Sequence, residues 1–250
     1  MNKSKGFLNE DYFVLELDNK KISQINPNLR TMLENIYGAL IEDEIVKCKL
    51  VDGFMKPDIC VTYKNSDKYI SIKSGHANGV HEEQIKTLIP FFKESGMQEE
   101  DINLFLKLFY RDGTTDGSGE KTLDYLKSRF EYQEEIATFN ERVNGNKTLV
   151  EKIVNHCLFE GSNSKRIEAE YIYFGSVKYG VLCSQKQIKK HISKRTWDYM
   201  DNPHIGPLQF RAHYFREVND SQFNQRRHQC DFWWARFRED LEYISERYWG

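Results

Sequence analysis

Residues 56–75, KPDICVTYKNSDKYISIKSG, constrain this chain more than any other stretch. Two short runs, DICVTY and KYISIK, alternate apolar and polar residues on either side of a polar turn, which is the pattern of a half-buried hairpin. With Asn65-Ser66 at the turn, Thr62 faces Tyr69, Cys60 faces Ser71 and Asp58 faces Lys73. Side chains alternate across a strand, so Asp58, Cys60, Ser71 and Lys73 share one face. Ile59, Val61, Tyr63, Ile70 and Ile72 form the other, a continuous apolar underside. A different turn would shift the pairing.

The flanking patterns are helical. Asn26-Pro27 reads as an N-cap followed by proline in the first turn. Through residue 48, Leu29, Leu33, Ile36, Tyr37, Leu40, Ile41 and Cys48 fall on one face at about 100° per residue. A second helix is expected from Asn78-Gly79 through VHEEQIKTLIPFFKES, with Pro90 kinking or interrupting it. Residues 97–159 are mostly helical in period, broken by RDGTTDGSG and NGN. Strand signals return in EYIYFGSVKYGVLCS. Ser184 can cap a short basic helix, QKQIKKHISK. PLQFRAHYFR and QCDFWWARF read as a further strand pair, and REDLEYISERYW as a closing helix. This order predicts a mixed α/β fold in a single domain spanning 1–250. Residues 1–95 form its helix–hairpin–helix core, 96–160 a helical insertion and 161–250 a strand-rich basic part.

Composition narrows the function classes. The 250 residues are ample for a hydrophobic core, and 14% aromatic content argues against disorder. Mean hydropathy is −0.70. No run of 18 apolar residues and no apolar leader is present, so a cytoplasmic protein without membrane contact is expected. The five cysteines are scattered, with no CxxC pair, which points to reduced thiols rather than a disulfide framework or zinc ribbon. Neither a glycine-rich phosphate loop nor a GxSxG elbow occurs, so no organic cofactor is expected. Net charge is −2, yet Gly161–Arg238 holds 14 Lys+Arg against 7 Asp+Glu, a net +7 that leaves −9 on the rest. A basic third on an acidic body suits a polyanionic partner.

A carboxylate opposite a lysine at a hairpin end has two readings. One is a cross-strand ion pair. The other is a magnesium site, because Mg2+ takes oxygen ligands and is held by one or two carboxylates with water and phosphate. Pro57-Asp58 followed by Ser71-Ile72-Lys73 on the adjacent strand resembles the motif of the PD-(D/E)xK nuclease superfamily, in its SxK variant, over residues 30–95. That superfamily includes most type II restriction endonucleases. The resemblance implies a restriction-endonuclease-like mixed sheet flanked by helices. It also implies Mg2+-dependent hydrolysis of double-stranded DNA, with Asp58 binding the metal and Lys73 positioning water. A homodimer is the prior for a palindrome cutter. The alternative is a non-catalytic nucleic-acid-binding protein on a degenerate nuclease fold.

The resemblance also implies a glutamate from the preceding helix. If the helix continues past residue 42, Glu44 falls in the middle of the apolar face, at about 20° from Leu33, whereas Glu42 faces water. An acid on an apolar face needs a partner or a metal, so Glu44 is expected as the assisting acid and Glu42 as its substitute. Ser71 stands where the family has Asp or Glu, and serine brings no charge. The missing acid is then expected from the following helix, from Glu83 or Glu82. His81 and Ser74 beside them are able to contact phosphate.

DNA contacts are expected from Lys189 and Lys190 on the basic helix and from Arg211, Arg216, Arg226 and Arg227 around the last strand pair. Gln209, Asn224, Gln225, His228 and Gln229 are interleaved as potential base readers.

Overall fold

The computed structural model describes residues 5–53, 55–74, 78–119, 123–162, 167–197, 201–212 and 226–249. In chain order the elements begin with α1 (Lys5–Leu17), β1 (Lys20–Lys21), α2 (Pro27–Tyr37), β2 (Ile45–Leu50), β3 (Ile59–Tyr63), β4 (Ser66–Lys73) and β5 (Gly79–Gln84). Five helices follow: α3 (Ile85–Ser95), α4 (Glu99–Tyr110), α5 (Tyr125–Glu131), α6 (Gln133–Gly145) and α7 (Lys147–Asn155). The chain closes with β6 (Tyr171–Ser176), β7 (Tyr179–Ser184), α8 (Gln185–Lys194), β8 (His204–Ile205), β9 (Leu208–Ala212), β10 (Gln229–Trp234) and α9 (Phe237–Trp249). The fold is mixed α/β, as the sequence order predicts. It divides into two compact units, one of residues 1–77, 158–191 and 237–250, the other of residues 78–157 and 192–236.

The first unit is built on a six-stranded sheet in the order β1-β2-β3-β4-β6-β7. All its pairings are antiparallel except β4 with β6, which run parallel. Helix α2 starts where expected: the Asn26 side chain accepts the Leu29 N–H at 3.0 Å and Pro27 occupies the first helical position. It stops sooner than the apolar period suggests. Gly38, at φ +78°, caps the helix just after Tyr37. Residues 45–50 then form a strand, with Val46 and Cys48 buried and Ile45, Lys47 and Lys49 exposed. A period-two run therefore replaces the second half of the expected helix. The α1 helix, which carried no sequence signal, supplies Phe13 and Leu17 to the core.

The hairpin is present, with a corrected register. Lys64 and Asn65 both have positive φ, 47° and 63°, and make a two-residue turn of the primed type that suits the twist of a hairpin. Pairing therefore runs Ile59 with Ile70, Cys60 with Tyr69 and Tyr63 with Ser66. The displacement is two residues, an even number, so every side chain keeps its face. Ile59, Val61, Tyr63, Ile70 and Ile72 are all buried in one core with Phe13, Leu17, Leu29, Leu33 and Val46.

The second unit contains an antiparallel sheet in the order β5-β10-β9-β8, together with helices α3 to α7. Its core is aromatic. Phe105 meets Phe92 edge-on at 5.0 Å between ring centroids and Phe210 at 4.5 Å. Residues 79–84, expected as the start of a helix, form strand β5, and α3 begins only at Ile85. Pro90 lies inside α3 without ending it. No helix among the described residues is long and apolar enough to cross a membrane.

Candidate active site

Asp58 is fixed through its backbone before its side chain enters. Its amide donates to the Ile70 carbonyl at 2.9 Å and its carbonyl accepts from the Val51 amide at 3.0 Å, so both neighbouring strands hold it. Asp58 is the residue just before β3, and its side chain reaches Ser71 and Lys73, which share one face of β4. The carboxylate oxygen Oδ2 accepts from the Ile72 amide at 2.5 Å and from the Ser71 hydroxyl at 3.1 Å, and Lys73 Nζ lies 4.0 Å away. Ser71 is fully buried, whereas the Asp58 and Lys73 side chains keep 21% and 22% of their exposure.

Two hydrogen-bond donors therefore converge on Oδ2, with the Lys73 ammonium at ion-pair distance, while Oδ1 has no hydrogen-bond partner among the described residues. Hydrogen bonds of this kind lock the rotamer of the carboxylate. The arrangement offers a positioned carboxylate oxygen beside an ammonium at the edge of solvent. Such a pair can hold a hard divalent cation and stabilise charge developing on a phosphate. Ser71 does not stand in for the missing acid here. Its hydroxyl positions Asp58.

Glu44 and Glu42, the acids expected from the preceding helix, do not join this constellation. Glu44 lies after the end of α2, in the turn before β2, and is exposed. Leu50 is the β2 residue paired with Ile59, and Glu44 precedes it by six residues, about 20 Å at strand rise. The helical reasoning for Glu44 is thus overturned by Gly38. Glu42 is spent on a bidentate pair with Arg30. Glu82 is exposed on β5 and accepts from the Gln229 amide at 2.9 Å.

Glu83 points to the opposite face of β5 from Glu82 and is buried, with its side chain 3% exposed. Its Oε2 meets His81 Nε2 at 3.0 Å and His156 Nε2 at 2.7 Å. Burial alone would raise the Glu83 pKa, but the hydrogen bonds from His156 and His81 outweigh it and hold the carboxyl below the ordinary carboxylate range. His156 was not legible as a functional residue: it stands alone at the end of an apolar helix. His81, expected as a phosphate contact, has the Glu83 carboxylate as a partner.

The basic residues have separate fates. Lys190 is exposed and Lys189 half-buried on α8. Arg211 is exposed on β9, its guanidinium 4.2 Å from the Trp233 ring centroid, and Arg226 is exposed just before β10. Arg227 forms an ion pair with Asp112 and donates to the Gly119 carbonyl at 2.8 Å, which ties it to the 111–119 loop. Arg216, with Asn224 and Gln225, lies outside the described residues.

No family model and no curated protein matches the chain. Among solved structures it is similar to the restriction endonuclease MspI in complex with its cognate DNA, at a TM-score of 0.49 and 14% identity, over 91% of this chain and 88% of that one.

Proposed function

We propose that this protein is a Mg2+-dependent endonuclease of restriction type, acting on double-stranded DNA. The observation that carries the reading is the Asp58 carboxylate, held through Oδ2 by Ile72 and Ser71 with Lys73 beside it and Oδ1 uncommitted among the described residues. These residues fit magnesium, which is commonly held by one or two carboxylates and completes its shell with water and substrate phosphate. When bound, such an ion supplies Lewis-acid polarisation of the phosphoryl oxygens. Asp58 holds the ion. Lys73 orients the attacking water or stabilises the charge that grows on the phosphate. Ser71 and the Ile72 amide keep the Asp58 carboxylate in one orientation. Lys189, Lys190, Arg211 and Arg226 are the proposed phosphate contacts.

Ser71 also favours a second reading. Because an uncharged, fully buried residue stands where an acid is expected, the chain would be a nucleic-acid-binding protein that does not cut. The two readings part on the variants Asp58→Ala and Lys73→Ala. The nuclease reading predicts that each loses cleavage while still retarding the same DNA in a gel. Cutting at wild-type rate by both variants contradicts the assignment. Retardation by wild type without any cutting favours the second reading.

A further inference from the structure

A second constellation is built within the second unit by β5, β10 and the end of α7. Alternation along β5 places His81 and Glu83 on one face. The chain leaves α7 through a wide helical turn at His156–Glu160, a distortion often found at functional sites. One ring nitrogen of His81, one of His156 and a Glu83 oxygen all lie within 4.8 Å of one another. The three side chains are 7%, 7% and 3% exposed. Both rings are packed by aromatics: Phe91 stacks on His156 at 3.9 Å between centroids, and Phe232 lies nearly parallel to His81 at 6.3 Å. Cys230 faces Glu83 across the β5–β10 ladder and is fully buried.

We infer that His81, Glu83 and His156 form a binding site for a first-row divalent transition ion, of the Zn2+ or Co2+ class, that ties β5 to the end of α7. Two imidazoles and one carboxylate are a donor set for borderline ions, whereas Mg2+ favours oxygen alone. An ion about 2.1 Å from each donor holds neighbouring donors about 3.4 Å apart. That lies between the 2.7 Å contact of His156 with Glu83 and the 4.8 Å bound on the set, so small side-chain adjustments suffice. Each imidazole that now points Nε2 at Glu83 binds the ion through that same nitrogen once its proton sits on Nδ1. The aromatic packing fixes the ring planes in advance.

The test is titration of the purified full chain with Co2+, read by visible absorption, and X-ray absorption of the Zn2+-loaded wild type. The site predicts a saturable Co2+ spectrum at one equivalent, displaced by Zn2+ but not by excess Mg2+. It also predicts a zinc shell containing two imidazoles. His81→Ala and His156→Ala should each weaken Co2+ binding at least roughly 100-fold, while Glu82→Gln, on the opposite face of β5, should leave it unchanged. Absence of a Co2+ spectrum in wild type, an oxygen-only zinc shell, or undiminished binding in folded His81→Ala and His156→Ala proteins overturns the inference. Because the wild-type spectra stand alone, a variant that fails to fold does not remove the test.

Discussion

Asp58 in the first unit and Asp112 in the second show two uses of a carboxylate. Asp58 sits at the end of a hairpin, partly exposed, with donors gathered on one oxygen and its lysine 4.0 Å away. Asp112 has no side-chain exposure and both oxygens are occupied. Oδ1 accepts from the Thr114 amide at 2.9 Å and hydroxyl at 2.7 Å, and Oδ2 accepts from Gly119 N–H at 3.2 Å and from Arg227. A saturated carboxylate holds a loop in place. A carboxylate with an oxygen to spare is available for chemistry. The contrast predicts that substitutions at the first position harm activity and substitutions at the second harm stability.

The largest expected effect is at the hairpin. Asp58→Ala or Lys73→Ala should lower the rate of Mg2+-dependent DNA cleavage by roughly 10²- to 10⁴-fold, with little change in melting temperature. Loss of stability in place of activity would erase the contrast. Next is Asp112→Asn, which leaves the Arg227 guanidinium, itself only 16% exposed, without its countercharge. The cost should be about 3 kcal/mol in denaturant unfolding.

The same group gives a pH signature. Burial pushes the Asp112 pKa up, but hydrogen bonds from Thr114 and the Arg227 charge push it down further, so it lies below the ordinary value. A depressed folded-state pKa means a contribution fully present above the unfolded value, about pH 4, and lost as pH falls through the folded value. Wild type should therefore lose melting temperature below pH 4 more steeply than Asp112→Asn. Parallel curves would show that Asp112 is not held by its partners.

A smaller effect is expected at Ser71. Ser71→Ala removes one hydrogen bond to a charged oxygen, worth about 1.5 kcal/mol or somewhat more, so cleavage should slow by roughly tenfold with metal dependence retained. An unchanged rate would show that the hydroxyl does not position Asp58. The smallest is Lys190→Gln, which should weaken DNA binding for all sequences alike and lower the salt slope of binding by about one.

How much of this was legible in the sequence varies with the range of the interactions. The Asn26 cap, the apolar underside of the hairpin and the paired strands β9 and β10 were readable because each depends on local pattern. The hairpin register was not, because Lys64 and Asn65 both adopt positive φ without a glycine to announce it. Strand β2 was hidden by apolar positions that also extend the α2 period, and Gly38 was the signal that should have ended the helix. Strand β5 looked like an acidic helix start because its partner, β10, lies more than 140 residues further on. The Glu83 site needed His156 from that same long-range folding, and a lone histidine carries no local sign of its partner.

The central claim is that the Asp58–Lys73 edge cuts DNA with magnesium. Its most direct measurement is incubation of supercoiled plasmid with purified wild-type protein and Mg2+, alongside EDTA and alongside Asp58→Ala. The account predicts discrete linear fragments with Mg2+ alone, and none with EDTA or with the variant. Intact plasmid in every lane, or fragments from the variant equal to those from wild type, would contradict it.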